Sequence, residues 1–155
     1  MRNRRHLLTL ATLLGVVPLD PQPCLAQDIT LTPKMHHLRN VGEREWADFP
    51  AKAESDALEL KFTLRESGAD WTLRFRQEDI KQDWRVKLNG KELGKLHRDE
   101  IDMRVSFAID PGVLRQGENV LRIESASQRG PDDIRVGEVR LVPGKREDIL
   151  SEATL

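Results

Sequence analysis

Past residue 56 the chain alternates apolar and polar residues one by one, in short runs separated by turn-forming residues. From Ala57 to Arg65, Leu58, Leu60, Phe62 and Leu64 fall on one side while Glu59, Lys61, Thr63 and Arg65 fall on the other. A period of two marks a strand with one buried face. After a turn over Glu66 to Asp70, Trp71, Leu73 and Phe75 alternate with Thr72, Arg74 and Arg76. Met103 to Ile109 repeats the pattern until Asp110-Pro111-Gly112 stops it. Val113 to Gln116 has room for one helical turn, which Gly117 would end in the left-handed conformation. Asn119 to Glu124 resumes a strand, with Leu121 and Ile123 on one face, and Ser125 to Asp133 reads as a polar loop. In the last strand, Ile134 to Val142, the apolar parity changes at Gly137, so a glycine bulge is expected there. Ahead of residue 57, Ile29 to Thr32 reads as an edge strand ended by Pro33, followed by a long turn-rich connection.

The most informative stretch is Asp83 to Leu96. Asn89-Gly90 is the pair that a two-residue type I′ turn requires, because both central residues need positive φ. Closing the hairpin there sets Val86 opposite Leu93 and Lys87 opposite Glu92, the latter as a cross-strand ion pair. A one-residue bulge at Gly94 would bring Trp84 opposite Leu96. Many short alternating strands with Gly, Asn, Asp and Pro turns define the fold class: all-β, an antiparallel β-sandwich.

The first 26 residues stand apart. Arg2, Arg4 and Arg5 precede an apolar run from Leu7 to Val17, Pro18 breaks it, and Cys24-Leu25-Ala26 offers small residues for cleavage before Gln27. This is the pattern of a secretory signal segment, and the run is too short to span a bilayer. Export to the periplasm or the extracellular space is expected, with no membrane span. Cleavage would remove Cys24, the one cysteine, so no disulfide or thiolate site is expected in the mature chain. The full chain has a net charge of −1, and removing residues 1–26 takes three Arg and one Asp with it, leaving about −3. Signs are interspersed, without the basic stripe of a nucleic-acid groove. The expected organisation is a signal segment at 1–26, a first strand and connection at 27–54, the sandwich at 55–143, and a linker at 144–155 that leaves room for a further domain.

Three pieces carry a family resemblance: Trp84-x-Val86-x-Leu88-Asn89-Gly90 with Leu93-Gly94; Leu114-x-x-Gly117-Glu118-Asn119-x-Leu121-x-Ile123; and Asp132-Asp133-Ile134-x-Val136-Gly137-Glu138-Val139-x-Leu141. The first two resemble galactose-binding-domain-like jelly rolls, including the sugar-binding domains of glycoside hydrolases. The third, with Leu150-Ser151-Glu152-Ala153-Thr154, resembles the module that precedes PHP-like metal-dependent hydrolases in some exported bacterial proteins. The similarity covers residues 55–142 and rests on fold-forming residues, so it implies a jelly roll more strongly than an activity. It implies as partners a carbohydrate or a hydrolase domain, and it leaves a structural calcium open as the only cofactor.

Candidate chemistry is sparse. No nucleophile elbow, phosphate loop or His-Glu-x-x-His pattern occurs, and a non-catalytic binding module is expected. Trp71 and Trp84 lie in phase with the inward leucines and are assigned to the core. Trp46 has no such phase; a cap over one end of the core is the favoured reading, and among the aromatics it is the best candidate for stacking on a sugar face. Arg39, Asp132 and Asp133, near the loops 40–56 and 125–133, are the candidate hydrogen-bonding partners of a ligand. His36-His37 would face opposite ways on a strand and is expected to be solvated. Asp132-Asp133 and Asp99-Glu100-Asp102 are expected in solvated loops, although oxygen-rich loops can hold calcium.

Overall fold

The computed structural model describes residues 27–65, 70–127 and 129–152. The signal segment expected over 1–26, with Cys24, and most of the turn expected over 66–70 lie outside the described residues. The alternating runs form eight strands: β1 (Ile29–Arg39), β2 (Ala57–Leu64), β3 (Trp71–Glu78), β4 (Trp84–Leu88), β5 (Lys91–Lys95), β6 (Met103–Ile109), β7 (Gly117–Ser125) and β8 (Asp133–Pro143). A short helix, α1 (Arg146–Glu152), follows. The strands pair antiparallel in two four-stranded sheets, ordered β1-β8-β3-β6 and β2-β7-β4-β5. The fold is therefore an all-β sandwich, an arrangement compatible with a jelly roll.

Each sheet hides one face because its side chains alternate across the pleat. Leu73, Phe75, Trp84, Val86, Leu121, Ile123, Val139 and Leu141 meet in the interior, and Trp71 is buried beside them. Both indoles assigned to the core lie there. Phe75 stacks on Phe107 across β3 and β6, with ring centroids 5.5 Å apart.

At the β4–β5 hairpin, Asn89 and Gly90 have φ of 51° and 83°, as a type I′ turn demands. Asn89 also donates through Nδ2 to Val113 O (2.7 Å) and accepts at Oδ1 from Val120 N (2.9 Å). The expected pairing of Lys87 with Glu92 is present, and Leu96 N donates to Trp84 O, so the bulge restores the register. The bulge falls one step earlier than expected, and Val86 faces Gly94 instead of Leu93. The Lys87–Glu92 ion pair is not formed. Lys87 instead reaches Glu124 on the other flank at 2.7 Å, because β4 is sandwiched between β5 and β7. The sequence of a hairpin does not announce the strand on its far side.

The bulge at Gly137 is present: three residues of β8 span the distance that two residues of β3 cover. A Cβ at Gly137 would lie 2.1 Å from Lys34 O, so the close passage of β1 requires glycine. Pro33 does not end β1. The strand continues through it to Arg39, with register shifts on both sides of Thr32. β1 is an edge strand, and irregular pairing there leaves room for a residue without an N–H.

A candidate binding site at the loop end of the sandwich

Because β1 runs on to Arg39, it delivers its last residues beside the start of β8, with Arg39 opposite Asp133. The same end collects the loop 40–56, the β3–β4 connection and the β7–β8 loop. The loop 40–56 closes on β1 through Arg39 N to Ser55 O (3.1 Å) and Glu54 N to His37 O (2.9 Å). Asn40 ties it to the β7–β8 loop, donating to Ser127 O (3.2 Å) and Gly130 O (3.0 Å) and accepting from Asp132 N (2.8 Å). The loops 40–56 and 125–133 thus share one end of the sandwich.

Asp132 and Asp133 are fully buried, contrary to the solvated loop expected of them. A buried carboxylate is tolerated only when its lone pairs are matched by donors. Asp132 accepts from Trp84 Nε1 (2.7 Å), Gln82 N (3.0 Å) and, more weakly, Lys81 N (3.3 Å). Burial nevertheless dominates and pushes its carboxyl above the ordinary value, with those donors only partly opposing. Asp133 accepts from His37 Nε2 (2.6 Å), Arg39 Nε (2.8 Å) and Glu45 N (2.8 Å). There burial also pushes upward, but the Glu45 amide, His37 and Arg39 together outweigh it and hold the carboxyl low. The two neighbours thus respond in opposite directions: burial and the nearby Glu45 carboxylate prevail at Asp132, whereas the Glu45 amide, His37 and Arg39 prevail at Asp133.

His37 is only 8 % exposed, which overturns its assignment as a solvated residue. Its ring stacks on Phe49 at 5.0 Å, and the Arg135 guanidinium lies 4.9 Å from the Phe49 centroid. His36 turns the other way, as adjacent strand residues must, and meets Glu54 at 3.0 Å. Arg39 extends its remaining donors to Ala51 O and Pro50 O, both at 3.1 Å. These side chains fasten the loop 40–56 to the sheet ends.

The solvent side of this end is concave. A cavity of about 530 Å³ is lined by Lys81, Gln82, Asp83, Arg98, Ala126, Ser127 and Arg129. Gln82 is held by the carbonyls of Gly130 and Pro131, and Lys81 by Asp79 (2.6 Å) and Glu45 (3.1 Å). Burial lowers the Lys81 ammonium, yet the two carboxylates prevail and raise it above its ordinary value. Asp83 is shared by Lys95 (2.8 Å) and Arg98 (2.8 Å), which hold its carboxyl low. The rim is thus a set of fixed donors and acceptors on short, tied loops.

Among the candidate residues, Trp46 is 59 % exposed, which overturns the core cap favoured for it. It follows Glu45, whose carboxylate grips Lys81 on the cavity wall, so the indole stands at this end but does not line the cavity. Arg39, Asp132 and Asp133 lie behind the surface and engage the chain itself. Gln82, Ser127, Arg98 and Arg129 form the wall, and the sequence alone does not single them out, since no spacing signal connects three separate loops. Among the described residues no three His, Cys, Asp or Glu side chains converge as a metal site would require, and no helix is long and apolar enough to cross a membrane. No protein-family model matches the chain, and no curated protein matches it.

Proposed function

We propose that this chain is an exported, non-catalytic binding module of the galactose-binding-domain-like class that recognises carbohydrate at the loop end of the sandwich. The observation that carries the reading is a polar cavity and an exposed indole at the same end of the sandwich, on loops tied down by buried carboxylates. Sugars present hydroxyls to polar groups and an apolar ring face to aromatics, and a preformed site loses little entropy on binding. Gln82, Ser127 and Arg129 would supply hydrogen bonds, and Trp46 the stacking face. Affinity gel electrophoresis against a panel of neutral polysaccharides tests this. Retardation by at least one of them, abolished in Trp46→Ala, is the expected result, and migration unaffected by every polysaccharide refutes it.

A second reading, a module that packs against a hydrolase domain, draws support from a different place. Ile101 is 65 % exposed, and a cavity of about 290 Å³ along β6 and α1 mixes Met103, Val105, Phe107 and Leu150 with Lys95, His97, Arg104, Ser106 and Arg146. A mixed surface with exposed apolar side chains among charged ones is a common element of domain interfaces. It predicts a hydrolase reading frame continuous with, or adjoining, the one that encodes this chain, and the lack of such a frame counts against it.

A further inference from the structure

The outer face of the sheet β1-β8-β3-β6 carries arginines opposed across neighbouring strands in two successive rows. In one row Arg76 on β3 faces Arg104 on β6. There the chain supplies the counter-charge itself: Glu138 accepts from Arg76 Nη1 (3.0 Å) and Arg104 Nη2 (2.8 Å), and Asp102 takes the other side of Arg76. Glu138 reaches that position from the β8 bulge, with φ of 49°. In the next row the order across all four strands is Thr30, Arg140, Arg74, Ser106. Arg74 and Arg140 are directly opposite each other, and neither has an ion-pair or hydrogen-bond partner among the described residues. Both point outward, because Leu73, Phe75, Val139 and Leu141 on either side of them are fully buried.

Directly opposed like charges weaken a sheet, and side chains so placed have Cβ atoms only about 4.5–5.5 Å apart. One row is neutralised from within and the other is left open, flanked by two hydroxyls. We infer that the Arg140–Arg74 row is a docking surface for an acidic polysaccharide, whose carboxylate or sulfate groups supply the missing counter-charge while Thr30 and Ser106 meet its hydroxyls. Two guanidiniums presenting planar forks suit such oxyanions. A nucleic acid fits less well: a single strand wants stacking rings, and the adjacent pairs Arg76/Arg104 and Thr72/Ala108 offer none. A duplex wants an extended basic stripe, whereas the chain as a whole carries a net charge of −1. That slight negative charge also means that retention by a polyanion requires a local site. The surface is separate from the loop-end cavity and does not rest on its assignment.

The test is affinity electrophoresis of the full chain at low salt in dextran, dextran sulfate and polygalacturonate, with duplex DNA as a further arm. Retardation by the two acidic polymers and not by dextran is expected. Arg74→Gln and Arg140→Gln should each reduce it at least threefold, while Lys61→Gln, on the opposite sheet, should leave it unchanged. The melting temperature of Arg140→Gln should be unchanged or raised, since a repulsion is removed; a purely structural arginine would give a fall. Any of four results overturns the inference: no retardation of the unmodified chain by the acidic polymers, full retardation of both variants, a lowered melting temperature in both, or retardation by duplex DNA, or by dextran in a Trp46→Ala background that lacks the loop-end stacking face, as strong as that by dextran sulfate.

Discussion

Replacing Asp132 by alanine should remove a large share of the stability of this sandwich. Trp84 Nε1 and the Gln82 amide reach the carboxylate at 2.7 and 3.0 Å, and the Trp84 side chain is fully buried. Each buried donor left without an acceptor costs about 1–3 kcal/mol, so two strong contacts place the loss between roughly 2 and 6 kcal/mol. The Lys81 amide, at 3.3 Å, adds little. Deleting a carboxylate whose charge is penalised by burial offsets part of this, and about 3 kcal/mol is the expected net loss against a typical total of about 5–15 kcal/mol. Asp132→Asn provides the control. Its amide oxygen can take the position that serves both Trp84 and Gln82, only the long Lys81 contact is lost, and the buried charge disappears. That variant should stay within about 1 kcal/mol of the unmodified chain. Urea unfolding followed by tryptophan fluorescence measures both, since two of the three indoles report on the core. Equal midpoints and slopes for the alanine and asparagine variants would refute the view that Asp132 acts as an acceptor for buried donors.

The two adjacent aspartates should also separate in their pH response. Asp133 is held below its ordinary value of 3.8 when folded, so its contribution is complete above about pH 4 and fades as pH falls through the lowered value. Asp132 is raised when folded, so its charged form weakens the fold and stability is regained as pH falls from above that raised value toward 3.8. The stability of the unmodified chain relative to Asp132→Asn should therefore increase between pH 7 and pH 4, and urea titrations at several pH values would show a flat difference if this is wrong. Gly137→Ala should cost about 1–3 kcal/mol or more, because the new Cβ meets backbone oxygen and not a movable side chain; thermal melting checks it, and an unchanged midpoint would mean that β1 can withdraw from Lys34 at no cost. Asn89→Ala should lose about 2–4 kcal/mol, from a non-glycine residue at positive φ and from broken bonds to Val113 and Val120. Asn89→Gly should recover the conformational part alone, and identical urea midpoints for the two variants would contradict that division.

Much of the sandwich is legible in the chain because its information is local. The period of two in Ala57 to Arg65 depends only on which residues adjoin one another, and so does the turn at Asn89-Gly90. Gly137 was readable for the same reason: a change of parity within one strand demands a bulge whatever lies alongside. Trp71 and Trp84 declared themselves by keeping phase with the leucines around them. Errors gathered where a residue's fate depended on another strand. Pro33 reads as a stop in isolation, yet β1 passes through it because an edge strand can leave an amide unpaired. Lys87 has an evident partner in Glu92 by hairpin arithmetic, and its actual partner, Glu124, comes from β7.

What the amino-acid order determined unaided is thus a set of amphipathic strands, their turns and the residues that fill the interior, since each follows from short-range sterics and the pleat. The tertiary structure alone decided that Asp132, Asp133, His37 and Arg39 would lie together behind the surface, because they are brought side by side by pairing β1 with β8 across almost a hundred residues. It also decided that Arg74 and Arg140 would face each other without a carboxylate between them. Whether a charge is solvated, paired or opposed is a property of its neighbours in space, and no pattern along one strand contains them.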